Sequence, residues 1–217
     1  MNGIIKSMIF FALLAWSPMA IAQFSFGVEG GFTRAWEDYG DVDLPEDAEI
    51  HIDGFNISAL AYYRIHRYIS LGVEPGFVRR GAACIPGWEP IFTGDTKLLL
   101  NYVEMPLMCS ANIPLFKSPF EIIARTGYGF SYLASAEEQF TNFADGSVIS
   151  DEVPLGENSR LNRWDHGWYN TFGVAYAFGP HQVFLNTDFF LGFKDADRFN
   201  TSQNRNVNLN VGYMIRL

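Results

Sequence analysis

Six charged residues, Glu29, Arg64, Glu74, Glu104, Arg125 and Asp188, lie in segments that are apolar on every second residue, always in the non-apolar register. Charges on that face of a strand either form a path for protons or ions, or neutralise one another in a closed interior. Antiparallel pairing puts Glu74 and Arg125 in one row, flanking the strand that carries Glu104 one layer further out. Glu74, Glu104 and Arg125 are therefore expected to form a structural charge network. A narrow interior filled by side chains favours ion pairs over a conducting path.

Other chemistry is sparse. The segment from Glu37 to Asp53 holds Glu37, Asp38, Asp41, Asp43, Glu46, Asp47, Glu49 and Asp53 with no Lys or Arg. Hard divalent cations take several such oxygens, but no Asp-x-Asp-x-Asp-Gly order is present, so a solvated acidic loop is expected. Of the histidines, His66 and His181 fall in short turns, and His51 and His166 near the opposite rim. Catalysis needs clustered groups, and Ser159 with His166 is the one pair within plausible reach. No cofactor motif, metal site or enzyme signature is identified. The net charge of −9 argues against a nucleic-acid partner.

The elements that position these residues are eight expected strands: Phe24 to Arg34, Gly54 to Ile65, Ile69 to Arg80, Leu98 to Ile113, Phe120 to Ala134, Gly167 to Phe178, Gln182 to Lys194 and Val207 to Leu217. The last is the cleanest. Val207, Leu209, Val211, Tyr213, Ile215 and Leu217 interleave with Asn206, Asn208, Asn210, Gly212, Met214 and Arg216. Period-2 alternation marks a strand with two different environments. Each segment has the roughly 9–11 residues that a tilted membrane strand requires.

The glycines say which face is inside. Gly27, Gly31, Gly54, Gly72, Gly76, Gly127, Gly129, Gly173, Gly192 and Gly212 oppose the large apolar residues, with Gly30 the exception. A small barrel has little interior space, so the large apolar residues face out. Such a surface aggregates in water but suits lipid. The expected fold class is all-β: an eight-stranded antiparallel up-and-down transmembrane β-barrel in the bacterial outer membrane. Connections at 66–68, 114–119 and 179–181 are tight, and those at 35–53, 81–97, 135–166 and 195–205 are long. Short turns and both termini are expected on the periplasmic side. Tyr63, Tyr68, Phe178 and Tyr213 then mark one aromatic girdle, and Trp36, Phe77, Tyr132, Trp168 and Phe193 the other. Residues 1–22 read as a cleaved signal peptide, with Lys6 in the n-region and Ala20-Ile21-Ala22 at the cleavage site. Residues 23–217 then form a single domain.

Two stretches carry recognisable text. Ile69 to Gly81 ends in Arg80-Gly81, and the next strand reads Tyr102-Val103-Glu104-Met105-Pro106-Leu107. This resembles the PorT-like outer-membrane β-barrel family, which pairs a strand ending in Arg-Gly with one reading Tyr-x-Glu-hydrophobic-Pro-hydrophobic. The closing Leu209 to Tyr213 is also similar. Arg80, Gly81, Tyr102, Glu104 and Pro106 are the motif positions. The terminal Arg216-Leu217 departs from the Phe with which such barrels usually end. The resemblance implies an outer-membrane barrel, with a link to protein secretion by analogy only.

The two cysteines, Cys84 and Cys109, are expected as free thiols. Pairing Ile69 with Ile113 puts Cys109 opposite Val73 and facing lipid, with Cys84 well beyond the end of that strand. A disulfide needs Cα atoms within about 7 Å. Trp88, Trp164, Trp168, Phe92, Phe140 and Phe143 are expected in outer loops, where they suit a binding surface or anchor the rim. The functional reading is a monomeric structural or surface-binding barrel. Its partners are outer-membrane lipid and lipopolysaccharide, with a surface ligand or periplasmic protein beyond them. The alternatives are an accessory barrel of a secretion apparatus and a lipid-modifying enzyme.

Overall fold

The computed structural model describes residues 23–40, 51–83, 94–142, 144–156, 159–199 and 201–217. The expected leader, Cys84, Trp88, Phe92, Phe143 and the acidic residues Asp41, Asp43, Glu46, Asp47 and Glu49 lie outside them. The elements are β1 (Phe24–Asp38), β2 (His51–Arg64), β3 (Ile69–Val73), β4 (Gly76–Ala83), β5 (Gly94–Pro114), β6 (Phe120–Asn142), β7 (Val148–Glu152), β8 (Trp164–Phe178), β9 (His181–Asp195) and β10 (Gln203–Arg216). All pairings are antiparallel, and β1 pairs with both β2 and β10, so the sheet closes on itself. β3 and β4 are two halves of one barrel strand, and β7 stands apart as a flap on β6, leaving an eight-stranded up-and-down barrel.

The wall has two unlike faces. Phe26, Val28, Ile57, Leu71, Val103, Leu107, Phe172, Leu185, Leu209 and Val211 are exposed on the outside. Their inward neighbours are buried among one another. An apolar belt of this kind is stable only in lipid, and closure leaves no unpaired strand edge there. At the long-loop end the belt stops at an exposed ion pair, Arg34 Nε to Asp53 at 2.9 Å.

Three expectations are corrected. The third strand is not continuous. It breaks at Glu74–Pro75, because proline has no N–H to give to the ladder. The Glu74 amide instead donates to the Pro106 carbonyl at 3.1 Å, and the Ala59 amide donates to that of Pro75 at 2.9 Å. The fifth strand does not end at Ala134. β6 runs to Asn142 and turns back through β7, so part of the expected loop is a hairpin. Its apolar residues, Phe140, Val148 and Ile149, follow no period-2 alternation among the polar ones, so nothing in the pattern announces it. Third, Cys109 sits opposite Leu71, not Val73. Ile69 pairs with Ala111, and β5 extends past it to Pro114. A shift of two keeps every side chain on its face, so Cys109 is still exposed on the lipid side.

One glycine is dictated by geometry. Gly81 has φ of +130°, and a Cβ there would run into the Leu98 carbonyl. It lies on β4 beyond the last β2–β4 rung, Asn56 to Val78. Past that rung β4 no longer follows β2. Leu99 of β5 and Ala83 join Ala35 and Ile52 in a small buried cluster.

The outward register makes a direct prediction. Val211→Arg, near mid-belt, should destabilise the barrel in lipid vesicles by about 2–4 kcal/mol. Equilibrium urea unfolding measures this, and an unchanged midpoint would contradict a lipid-facing Val211.

Candidate functional site: a layered ion-pair lumen

Two arginines occupy the barrel axis, and each organises one layer. In the first layer Arg125 of β6 points inward and is 2% exposed. Its Nη1 donates to Glu29 at 3.0 Å and to Glu74 at 3.0 Å. The Tyr62 hydroxyl donates to Glu74, and Asn186 Nδ2 donates to Glu29 at 2.9 Å. The rings of Phe184 and Tyr62 lie 5.1 and 5.7 Å from the guanidinium. A desolvated cation over aromatic faces gains about 2 kcal/mol or more. Asp188 accepts from Asn210 in the adjoining β9–β10 row.

The second layer is built on Arg80 of β4, 1% exposed. Its guanidinium pairs with Glu104, and donates to Asn206 Oδ1 at 2.7 Å, Ser131 Oγ at 3.0 Å and the Tyr169 hydroxyl at 3.1 Å. Tyr169 donates in turn to Glu104 at 2.8 Å. The Phe190 ring is stacked 3.8 Å from the charge. Beside this layer Asn204 Nδ2 donates to Asp165 at 2.9 Å and to the Tyr102 hydroxyl at 3.1 Å.

These positions revise the expected network. Glu74 and Arg125 meet, but Glu104 pairs with Arg80 in its own layer. Glu29 is the second acid on Arg125. Arg80 was read only as a motif residue, although its inward register follows from Glu74, Gly76 and Val78. Arg64 is not a lumen residue; it lies exposed at the short-turn mouth. There it lines a polar cleft of about 60 Å³ with Arg67, Asn112, Glu121 and Arg216. Arg216 is paired with Glu121, which also accepts from Gln182 Nε2 at 2.9 Å.

The long-loop end is closed by a third set of charges. Arg160 and Asp197 pair there, with the Arg160 Nε donating at 2.8 Å. Glu37 is not part of a solvated acidic loop but is buried beside them. It lies past Arg34, outside the lipid belt. Burial pushes its carboxyl up to about 7 from an ordinary 4.5; a hydrogen bond from Ser202 opposes this and nearby Asp197 adds to it. Asp53 belongs to the surface pair with Arg34, and Asp38 lies 3.5 Å from Arg205.

The other expected positions separate. His166 Nδ1 lies 2.6 Å from the Tyr128 hydroxyl on the outer wall, and Ser159 Oγ accepts from the Leu161 amide at 3.1 Å. Each has its own partner, and they form no Ser–His pair. His181 Nδ1 lies 2.5 Å from the Tyr213 hydroxyl at the short-turn rim. Trp164 and Trp168 are not in a loop. Both lie outward on β8, with Trp164 packed edge-on against Tyr132 at 4.9 Å, as in an interfacial girdle. Phe140 sits on β6 opposite Ile149 of β7.

A closed barrel with a lipid-facing wall and a charge-filled core is an outer-membrane protein. Residues 17–198 match the family described as outer membrane protein beta-barrel domain, and the chain belongs to that family. Its place is therefore the bacterial outer membrane. No curated protein matches the sequence. Among solved structures the chain is similar to Neisserial surface protein A, at 16% identity over 89% of this chain and 97% of that one, with a TM-score of 0.48. It is also similar to OprG of Pseudomonas aeruginosa, at 11% identity over 90% and 97%, with a TM-score of 0.46. A third is the outer membrane protease OmpT of Escherichia coli, at 13% identity over 90% and 97%, with a TM-score of 0.44.

Two predictions follow from the layers. Arg80→Ala and Arg125→Ala should each cost about 3–5 kcal/mol, because each strands buried carboxylates. In double-mutant cycles Arg80 should couple to Glu104 more strongly than Arg125 does. The reverse order in urea unfolding would restore the single-network arrangement. The second concerns pH. Between about 4.5 and 7 folded Glu37 keeps a proton that the unfolded chain has lost. Stability therefore falls as pH rises through that window. Glu37→Gln should flatten the fall by about 3 kcal/mol, and an unaltered pH profile would refute it.

Proposed function

We propose that this protein is a non-conducting, non-catalytic barrel that presents a binding surface at its long-loop end, outside the cell. The observation that carries this reading is the filled lumen. Arg80 and Arg125, with their acids and stacked rings, occupy the axis at two successive levels. An eight-stranded interior has little space left for a solute. Binding is then assigned to the β6–β7 hairpin and the loops around it, which stand beyond the lipid belt. Short turns facing the periplasm, with both termini there, follow the usual orientation of such barrels. The protein acts as a monomer embedded in lipid and lipopolysaccharide.

The finer PorT-like assignment has support in the packing of its motif. Arg80 and Glu104 form the ion pair, and the Tyr102 ring lies 5.3 Å from the same guanidinium. Gly81 allows the bend beside them. Pro106 takes the amide that the strand break at Glu74 redirects. A secretion-accessory role is the second reading, favoured by the cleft at the short-turn mouth. Its lining carries three arginines, Arg64, Arg67 and Arg216, against the single acid Glu121.

Photo-crosslinkers separate the two readings. Ile149 is exposed on the β7 flap, and Phe116 is 99% exposed at the tip of a short turn. In intact cells, adducts from position 149 and none from 116 are expected. Adducts from 116 alone would favour the accessory role. Stepwise single-channel conductance in planar bilayers would overturn the filled lumen.

A further inference from the structure

The β6–β7 flap carries an arrangement that the barrel does not need. Glu137 lies opposite Glu152, and Glu138 opposite Asp151, on adjacent rungs of the ladder. Like charges directly opposite one another destabilise a strand pair. Glu137 is held by Ser150 and by Gln139 Nε2 at 3.2 Å. Glu138, Asp151 and Glu152 lie together at the flap's base. Burial raises the Glu138 carboxyl above its ordinary value; Arg160 opposes this and Asp151 adds to it.

These three acids rim a cleft of about 190 Å³. Its floor is apolar, made by Leu98, Leu161, Val153 and Pro154. Leu98 and Leu161 belong to the buried cluster that caps the lumen, against which Val153 packs. The cleft is therefore backed by fixed structure. Among the described residues that line it the cation is Arg160, which is paired with Asp197. Behind Leu98, Arg160 and Leu161 lies Glu37, whose Oε1 is buried and accepts no hydrogen bond. An apolar floor beneath a carboxylate rim is complementary to a long alkyl stem that ends in a positive charge. Lysine and arginine side chains have that form. A bare metal ion gains nothing from the leucines, and an anionic or neutral apolar ligand leaves the facing acids unrelieved.

We propose that this cleft is a recognition site for a cationic, partly apolar peptide, which seats a lysine or arginine stem on Leu98 and Leu161 and its charge between Glu138 and Asp151. The site rests on the surface-binding reading above and names the ligand class for it.

The test uses the full barrel in phosphatidylcholine nanodiscs, with empty nanodiscs as control. Acetyl-Leu-Lys-Lys-Leu-amide is titrated by calorimetry. Saturable binding is expected, weakened about tenfold or more by Glu138→Gln with Asp151→Asn and weakened by salt. Acetyl-Gly-Lys-Lys-Gly-amide should bind about tenfold more weakly, since it lacks apolar contact. Heat-modifiable gel migration checks that the variant is folded. Equal binding by both peptides, or by the variant, overturns the proposal. So does saturable calcium binding at these acids without peptide binding. Self-association in ultracentrifugation that the double substitution abolishes would assign the cleft to a second copy and also overturn it. If the peptide fails while position 149 still crosslinks in cells, the ligand class falls and the surface-binding reading stands.

Discussion

Everything inside this barrel depends on burying two guanidinium groups where water cannot reach them. A buried charge costs several kcal/mol unless it is paired with an opposite charge. Arg80 and Arg125 come from different strands, and their acids come from β1, β4-side and β5 positions around the ring. Each layer thus ties together strands that are not neighbours. The aromatic rings of Phe184 and Phe190 fill the remaining space and add cation–π attraction. The lumen is a directional network, in which moving one strand by a rung breaks several charge-assisted bonds.

The lipid-facing surface has the opposite character. Its phenylalanines, valines and leucines need only be apolar and point outward, and many exchanges among them leave the barrel intact. Specificity of register therefore resides inside. Asn204, Asn206, Asn208 and Asn210 of β10 illustrate this. They form a ladder of amides that reaches Asp165, Arg80 and Asp188 in turn. Such a strand is polar enough inside to pin its height against β9 beside it and against β8 and β4 further round the barrel.

Above the lipid, the structure changes purpose. The cap formed by Leu98, Leu161, Arg160 and Asp197 seals the lumen and gives the β6–β7 flap a rigid base. A binding platform built on such a base is ordered before its ligand arrives, which lowers the entropic cost of binding. The closed interior and the outward platform are two results of one construction.

The alternation of Val207 to Leu217 was enough to predict a strand, its two faces and its lipid side, because period-2 contrast is local. The same logic put Glu74 and Arg125 in one interior row, since face and approximate height follow from counting. It went no further. Whether Glu104 joins Arg125 or Arg80 depends on strand tilt and on the break at Pro75, and neither is written in the spacing of either strand. Cys109 shows the limit in miniature: its face was legible, but its partner was missed by two residues because turn length sets register. Glu37 was read as solvated because its sequence neighbours are acids, yet folding places it under the cap. The β6–β7 flap had no signal, because Phe140, Val148 and Ile149 do not alternate with its polar residues. Sequence determined which side of the wall each residue occupies. Only the closed tertiary structure decided which charges meet, because Arg125 reaches Glu29 and Glu74 across the barrel, and Arg80 finds Glu104 four rungs away on the neighbouring strand.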